Sequence, residues 1–254
     1  MIIAIDIGNT DVVIGFYEKE EWRHILRMPS NLEMDASEYE KRLRVFLLEE
    51  GIELFEIEKV ILGSVVPDLT PVILEVFDQF KEGQMVLVDG ELLQKLSLGR
   101  INPYELGADL AANAVGVFTM CQQSAIVVDF GTALTFTSVN NQGEIVGVAI
   151  APGVQTAMKS LSSNTAKLPE IPLKIPAKAL GNNTVEAMQA GIMQGYVGLV
   201  RHMVAQVKAE MGGQPKVIAT GGLSFIFEPL HDLFDEMDVN LTLDGLRAML
   251  SKLA

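Results

Sequence analysis

The sequence predicts an α/β protein of two similar halves with a cleft between them, and two observations carry that prediction. A short apolar strand stops at an Asp-x-Gly turn and a second strand returns from it, first at Asp6–Thr10 and again at Asp129–Ala133. The two aspartates lie 123 positions apart, close to half of the 254 residues. The same strand–turn–strand unit repeated at that spacing marks an internal duplication. The remainder alternates short apolar runs with amphipathic stretches, the pattern of strands exchanging with helices. The expected domains are 1–118 and 119–254.

In order, Met1–Ile5 reads as a strand, Asp6–Asp11 as a tight polar turn and Val12–Tyr17 as the return strand. Rossmann and P-loop motifs place a helix after the glycine turn, and neither Gly-x-Gly-x-x-Gly nor Gly-x4-Gly-Lys-[Ser/Thr] occurs. Tyr39, Leu43, Phe46 and Leu47 fall at helical spacing within Ser37–Glu50, and Gly51 ends that helix. Val60–Val66 is a buried-strand candidate broken by Pro67 and Pro71; Val72–Phe80 is helical and Met85–Val88 a strand. Small and apolar residues run almost unbroken from Glu105 to Cys121, as in a helix buried between layers.

The second half opens with Ala125–Val128, the turn Asp129–Ala133 and the return strand Leu134–Val139. Apolar Glu144–Ala151 ends at Pro152-Gly153, Val154–Leu161 is helical, and three prolines make Pro169–Pro176 an exposed or edge stretch. Thr184–Met211 is the longest helical pattern, and Gly191, Gly195 and Gly198 give it one thin face for close approach of another backbone. Lys216–Thr220 is a strand running into Gly221-Gly222, and Thr242–Leu253 a terminal helix with Leu243, Leu246, Met249 and Leu250 on one side.

Composition narrows the function classes. The chain is 49% hydrophobic, enough to bury one large core or two smaller ones. Its apolar runs fall far short of the roughly 20 residues of a membrane helix, and no secretory leader precedes Asp6, so a cytoplasmic protein without a membrane partner is expected. A net charge of −14 without clustered Lys and Arg argues against nucleic acid. Cys121, the only cysteine, rules out an intrachain disulfide and reads as a buried helix residue rather than a nucleophile. His24, His202 and His231 show no metal-ligand spacing.

A strand that stops at an aspartate and turns through glycine presents backbone N–H groups and a carboxylate together. The N–H groups can bind phosphate oxygens, and the carboxylate can hold a Mg2+ ion that bridges them. Thr10, Thr132 and Thr135 add hydroxyls. Either turn alone could be an ordinary hairpin; the pair points to phosphate. Thr220-Gly221-Gly222 is either a strand-end turn or a side-chain-free seat for an adenine. Asp109, after Gly107-Ala108, is either a helix cap or a general base.

The whole series resembles type III pantothenate kinases of the acetate kinase, sugar kinase, Hsp70 and actin superfamily. It comprises Asp6-Ile7-Gly8-Asn9-Thr10, Ser64-Val65-Val66-Pro67, Gly107-Ala108-Asp109, Asp129-Phe130-Gly131-Thr132-Ala133, Ala151-Pro152-Gly153, Ala166-Lys167-Leu168-Pro169, Gly181-x-Asn183-Thr184 with Gly191, and Thr220-Gly221-Gly222, in family order over nearly the whole chain. The resemblance implies two duplicated actin-like (ribonuclease H-like) domains and ATP-dependent phosphorylation of pantothenate, the first step of coenzyme A biosynthesis. It implies ATP binding by Asp6, Ile7, Gly8, Asn9, Thr10, Asp11, Val12 and Val13, with Thr132, Gly221 and Gly222 contributing from the second half. Asp109 becomes the catalytic base, Gly107, Ala108, Asp109 and Leu110 line the pantothenate site, and Thr184 reaches it from the partner of a homodimer. Asp129 takes a monovalent cation, K+ or NH4+, and Asp6 serves Mg2+.

One departure stands out. The family pattern is Gly-x-Asp-Arg, and Leu110 occupies the arginine position; the Tyr-Asp-Asn-Pro stretch of the family appears as Arg100-Ile101-Asn102-Pro103. Pantothenate is an anion, so a lost charge-assisted hydrogen bond costs about 1.5–3 kcal/mol, roughly ten- to a hundredfold in affinity. Arg100 is the expected substitute for the missing charge. The competing expectations are a regulatory nucleotide-binding paralogue with little kinase activity, or a kinase for another hydroxylated metabolite.

Overall fold

The protein is described by a computed structural model covering residues 1–80, 85–165 and 167–253. Ala166 of the Ala166–Pro169 motif lies outside the described residues, as does Ala254. The chain divides into two compact units, Met1–Thr119 with Thr242–Ala254, and Met120–Leu241.

The first unit contains β1 (Ile2–Ile7), β2 (Asp11–Glu18), β3 (Glu21–Pro29), α1 (Ala36–Glu50), β4 (Lys59–Ser64), α2 (Thr70–Phe80), β5 (Met85–Val88), α3 (Gly90–Leu96) and α4 (Ala108–Cys121). Its sheet runs β3-β2-β1-β4-β5, with β1–β2–β3 an antiparallel meander and β4 and β5 added in parallel. Alternation decides which side is core. Ile3, Ile5 and Ile7 of β1, Val12, Ile14 and Phe16 of β2, and Val60 and Leu62 of β4 share a cluster with Tyr39, Leu43 and Leu47 of α1 and Ile73, Val76 and Phe77 of α2. Asp35 caps α1 by accepting from Glu38 N–H, and Gly51 at φ +68° ends it, a conformation glycine adopts without penalty.

The second unit repeats that topology. It contains β6 (Ala125–Phe130), β7 (Ala133–Val139), β8 (Ile145–Pro152), α5 (Val154–Ser163), α6 (Thr184–Gln189), α7 (Gly195–Met211), β9 (Lys216–Thr220) and β10 (Glu236–Met237). The sheet order β10-β9-β6-β7-β8 again sets an antiparallel meander beside two parallel strands. Ile126, Val128 and Phe130 of β6 and Leu134 and Phe136 of β7 pack with Met193 and with Val200 and Val204 of α7. The predicted helix over Thr184–Met211 is interrupted by a π-helical turn at Ala190–Gln194. Pro169–Pro176 joins no sheet; Gln189 and Gln194 side-chain amides donate to the Pro172 and Pro176 carbonyls at 2.9 and 2.8 Å and tether it.

The chain closes with α8 (Leu241–Leu253), and here the expected division at 119–254 needs correction. Helix α8 belongs with the first unit. Its apolar stripe, Leu243, Leu246, Met249 and Leu250, is buried, and the sheet face it meets is hollowed by glycine. A Cβ on Gly63 would stand 2.9 Å from Leu246, and one on Gly15 would stand 2.9 Å from Leu243. On the helix side, a Cβ on Gly245 would collide with the Ala112 carbonyl of α4. Thr242 donates to Asn113 Oδ1 at 2.8 Å and Trp22 Nε1 donates to Asp244 at 3.2 Å, which fixes the helix in register.

Strand β3 and helix α3 were not anticipated. β3 is an edge strand in which Arg23, His24 and Arg27 interrupt the apolar residues, so no clean period shows. Among the described residues the thin glycine face of the long helix meets no neighbour: a Cβ on Gly191, Gly195 or Gly198 would have nothing within 4 Å. Among the described residues no helix is long and apolar enough to cross a membrane.

Candidate active site

At the end of β1 the chain reverses through Gly8–Thr10, closed by Gly8 N–H donating to the Asp11 carbonyl at 3.0 Å. Two outside contacts hold the turn. Ser30, just past β3, donates its hydroxyl to the Gly8 carbonyl at 2.5 Å and its N–H to the Thr10 carbonyl at 2.9 Å. On the other side, Val65 N–H donates to the Ile7 carbonyl at 3.0 Å. Asn9 and Thr10 are exposed at the tip, and Gly8 has no close neighbour that forbids a side chain, its nearest approach being 3.4 Å to Asp11 O. Its missing side chain therefore leaves open space above the turn rather than relieving an internal clash.

Asp109 is brought to the same corner. Asp6 pairs with Gly63 across β1 and β4, and a Cβ on Gly63 would stand 3.3 Å from Ala108 Cβ at the start of α4. Val65 bridges the turn and the helix, since a Cβ on Gly107 would stand 3.5 Å from its Cγ1. The same Cβ would stand 2.5 Å from Asp109 Oδ1, so the carboxylate folds back over Gly107 and a side chain there would push it aside. Leu110 N–H donates to that oxygen at 2.7 Å. Burial pushes the Asp109 carboxyl above its ordinary value of 3.8, against the lowering effect of the Leu110 N–H. Asp109 is thus a carboxylate in the first turn of α4, made more basic by burial.

In the second unit, Asp129, one residue before the end of β6, pairs with Thr220, the last residue of β9. Gly221 follows at φ +88°, and a Cβ there would stand 2.5 Å from Asp129 Oδ1 and 2.7 Å from Phe130 backbone. The Gly221 turn thus lies directly against the Asp129 turn. Gly153 clamps the other side: a Cβ on it would collide with the carbonyls of Gly131 and Thr132. Gly153 N–H and the Thr156 hydroxyl both donate to the Thr132 carbonyl, at 3.0 and 2.8 Å, while Thr132 itself is exposed. Gly222 has nothing within 4 Å of where a Cβ would be.

Comparison with known proteins agrees with this geometry. A family model described as type III pantothenate kinase matches residues 2–206. The type III pantothenate kinase of Moorella thermoacetica is 41% identical over 247 residues, 97% of each chain. That of Dehalococcoides mccartyi strain BAV1 is 39% identical over 246 residues, 97% of this chain and 94% of the relative. The chain belongs to the type III pantothenate kinase family. An inorganic polyphosphate/ATP-glucomannokinase from Arthrobacter sp. strain KM shares the fold at a TM-score of 0.51 and 13% identity, over 100% of this chain and 99% of that one. The two mixed five-stranded sheets with their helices form the duplicated actin-like α/β fold.

Within this family member, Leu110 is 9% exposed on α4, so the family's arginine position is filled by an apolar side chain packed into the first unit. Arg100 is exposed and makes no hydrogen bond or ion pair among the described residues. Thr184 is exposed at the first position of α6, whose cap is Asn183, accepting from Glu186 N–H at 3.0 Å. Cys121, half-buried at the end of α4, has its thiol pushed up first by burial and then by Glu236, which makes it a poor nucleophile. Ser30 and Thr156 escaped sequence reasoning. They act through backbone carbonyls, and lone hydroxyl residues at such sites carry no spacing signal.

Proposed function

We propose that this chain transfers the γ-phosphoryl group of ATP to the primary hydroxyl of pantothenate, giving 4′-phosphopantothenate, the first step of coenzyme A biosynthesis. The observation that carries the reading is Asp109: a half-buried carboxylate of raised basicity, seated on Gly107 at the start of α4 and tied through Val65 to the Asp6–Asp11 turn. Membership of the type III pantothenate kinases supports the acceptor.

In this reading the residues Asp6–Val13 bind the phosphates, and Thr132, Gly221 and Gly222 contact the nucleotide. Gly107, Ala108 and Leu110 line the pantothenate site. The acceptor oxygen attacks the γ-phosphorus, the bond to the β–γ bridging oxygen breaks, and ADP leaves. The hydroxyl proton passes to Asp109 Oδ2, while Leu110 N–H keeps Oδ1 oriented. Burial makes this carboxylate a stronger acceptor than an exposed aspartate, provided the pH keeps it ionised.

Among the described residues no group of three or more His, Cys, Asp or Glu could hold a metal ion by itself. That suits Mg2+, which takes one or two carboxylates and completes its shell with phosphate and water oxygens. Asp6 is the carboxylate that would hold it, and the ion would neutralise phosphate charge. We assign the monovalent cation to Asp129. Two further assignments follow from the family resemblance: a homodimer in which Thr184 serves the partner's site, and work in the cytoplasm. The open glycine face of Gly191, Gly195 and Gly198 supports the first, since nothing among the described residues fills it. For the missing positive charge we assign Arg100, whose guanidinium has no hydrogen-bond or ion-pair partner among the described residues.

The test is one incubation of purified protein with ATP, Mg2+, K+ and pantothenate, with product identified by mass spectrometry. Formation of 4′-phosphopantothenate is expected. Measurable ATP binding without that product, or ADP release only with a different acceptor, sinks the proposal.

A further inference from the structure

Val65 touches both the Asp6–Asp11 turn and the seat of Asp109, so whatever fixes Val65 fixes one against the other. Its N–H donates to the carbonyl of Ile7, just before Gly8, at 3.0 Å, and its Cγ1 would stand 3.5 Å from a Cβ on Gly107. The peptide plane on its other side is held as well, because Val66 N–H donates to Ser64 Oγ at 3.1 Å. Peptide units are rigid, so pinning both of the planes that flank Val65 sets its φ and ψ and the direction of its Cβ. Its branched side chain then has little χ1 freedom left.

A serine that accepts from the N–H two residues on makes an ordinary turn. Here a second hydroxyl enters from the next element. Thr70, the first residue of α2, donates to Ser64 Oγ at 2.7 Å, and Ser64 in turn gives its hydrogen to the Val66 carbonyl at 3.3 Å. Thr70 Oγ1 itself lies 2.9 Å from that carbonyl, which also accepts from Leu69 and Thr70 N–H, both at 3.1 Å. One half-buried hydroxyl pair therefore holds the N–H and the carbonyl of Val66, whose side chain packs on the first core. The next residue in from it, Val65, is left against Gly107.

We propose that Ser64 and Thr70 are positioning residues for phosphoryl transfer: their hydroxyl pair sets, through Val65, the distance between the Asp6–Asp11 turn and the Asp109 carboxylate. The inference rests on the reading of Asp109 as the base and of that turn as the phosphate seat, and it adds the device that holds the two in register. The acceptor hydroxyl has to meet Asp109 with its proton and the γ-phosphorus with its oxygen in the same encounter. A misplacement of about 1 Å between such groups costs on the order of a hundredfold in rate, even when its cause lies away from the chemistry. Neither Ser64 nor Thr70 needs to touch ATP or acceptor for its loss to be felt.

The experiment measures initial rates with ATP and pantothenate, the Kd for ADP and the melting temperature of the full-length protein and its variants. Thr70→Val keeps the shape of the side chain and removes the hydroxyl. It should lower kcat about ten- to a hundredfold, leave the KM for ATP and the Kd for ADP within about threefold of the parent, and be rescued by Thr70→Ser. The double variant Ser64→Ala/Thr70→Val should lose no more than the larger single loss, because both substitutions delete one pair. A Thr70→Val protein that melts lower but keeps the parent's kcat shows a packing role alone and overturns the proposal, as do equal rates in Thr70→Val and Thr70→Ser. Losses that multiply in the double variant also overturn it. Asp109→Asn tells the two readings apart: if it is inactive while Thr70→Val keeps the parent's kcat, the base stands and the positioning role falls. If Asp109→Asn is active, the base falls and this proposal with it. Should Thr70→Val not fold, Thr70→Ala against Thr70→Ser decides the matter: equal kcat overturns the role of the hydroxyl.

Discussion

Gly221 and Gly222 are adjacent in sequence and opposite in what they tolerate, which makes the pair a sharp test of how the second phosphate turn is built. At Gly221 the backbone is at φ +88°, and an added Cβ would stand 2.5 Å from Asp129 Oδ1 and 2.7 Å from Phe130 backbone. The left-handed conformation costs an L-residue about 1–2 kcal/mol, and forcing the overlap apart costs about 1–3 kcal/mol more. Gly221→Ala should therefore lose about 2–5 kcal/mol, which for a unit of this size lowers the melting temperature by roughly 10 °C or more. Gly222 has ordinary φ and nothing within 4 Å, so Gly222→Ala should stay within about 0.5 kcal/mol of the parent. Its penalty should appear in function instead, as a raised KM for ATP, because the methyl occupies space the nucleotide needs. Differential scanning calorimetry and initial-rate kinetics on both variants separate the effects. A Gly221→Ala protein that melts with the parent would refute the close approach of the Asp129 and Gly221 turns.

Asp109→Asn should lower kcat by about 10²–10⁴ with little change in nucleotide affinity, and an active variant would exclude the base. The same substitution should stabilise the protein at neutral pH. Because burial raises the folded-state value above 3.8, the native protein binds more protons than the unfolded chain between the two values, and stability falls as pH rises through that window. Removing the charge removes that loss, so thermal denaturation from pH 4 to 8 should show a flatter profile in the variant, and kcat/KM of the parent should decline as the base protonates above the ordinary carboxylate range. Leu110→Arg should lower the KM for pantothenate by roughly ten- to a hundredfold at some expense of stability, since Leu110 is 9% exposed. Arg100→Ala should raise that KM without a change in melting temperature; an unchanged KM would dismiss the compensating charge. Ser30→Ala should cost about 1 kcal/mol and raise the KM for ATP, because the 2.5 Å bond from its hydroxyl to the Gly8 carbonyl holds the first turn.

The duplication and both turns were legible in the sequence because they are local: a strand ending on aspartate and returning after a glycine turn is contained within a dozen residues. Asp109 was legible as a choice between cap and base. The structure adds what sequence cannot show, burial set by neighbours far along the chain, which raises the basicity of a residue in the first turn of a helix; the role of base is the proposal that Asp109→Asn tests. Helix α8 was found at the right place and given to the wrong half, since nothing in its stripe of leucines says which sheet it covers. What decides it is negative information, the absence of side chains at Gly15, Gly63 and Gly245, and a lone glycine inside a strand or helix reads equally well as a flaw in the pattern.

The glycines of the site divide on the same principle. Gly153 and Gly221 are required by backbone atoms of this chain, and Gly107 by the present position of the Asp109 carboxylate, so their loss should show first in stability and geometry. Gly8 and Gly222 meet no such obstacle among the described residues. Sequence presents all five as members of motifs and cannot separate them. Distances can, and for the phosphate-binding role proposed for the two turns they single out Gly8→Ala and Gly222→Ala as the substitutions that should raise the KM for ATP while leaving the melting temperature near that of the parent.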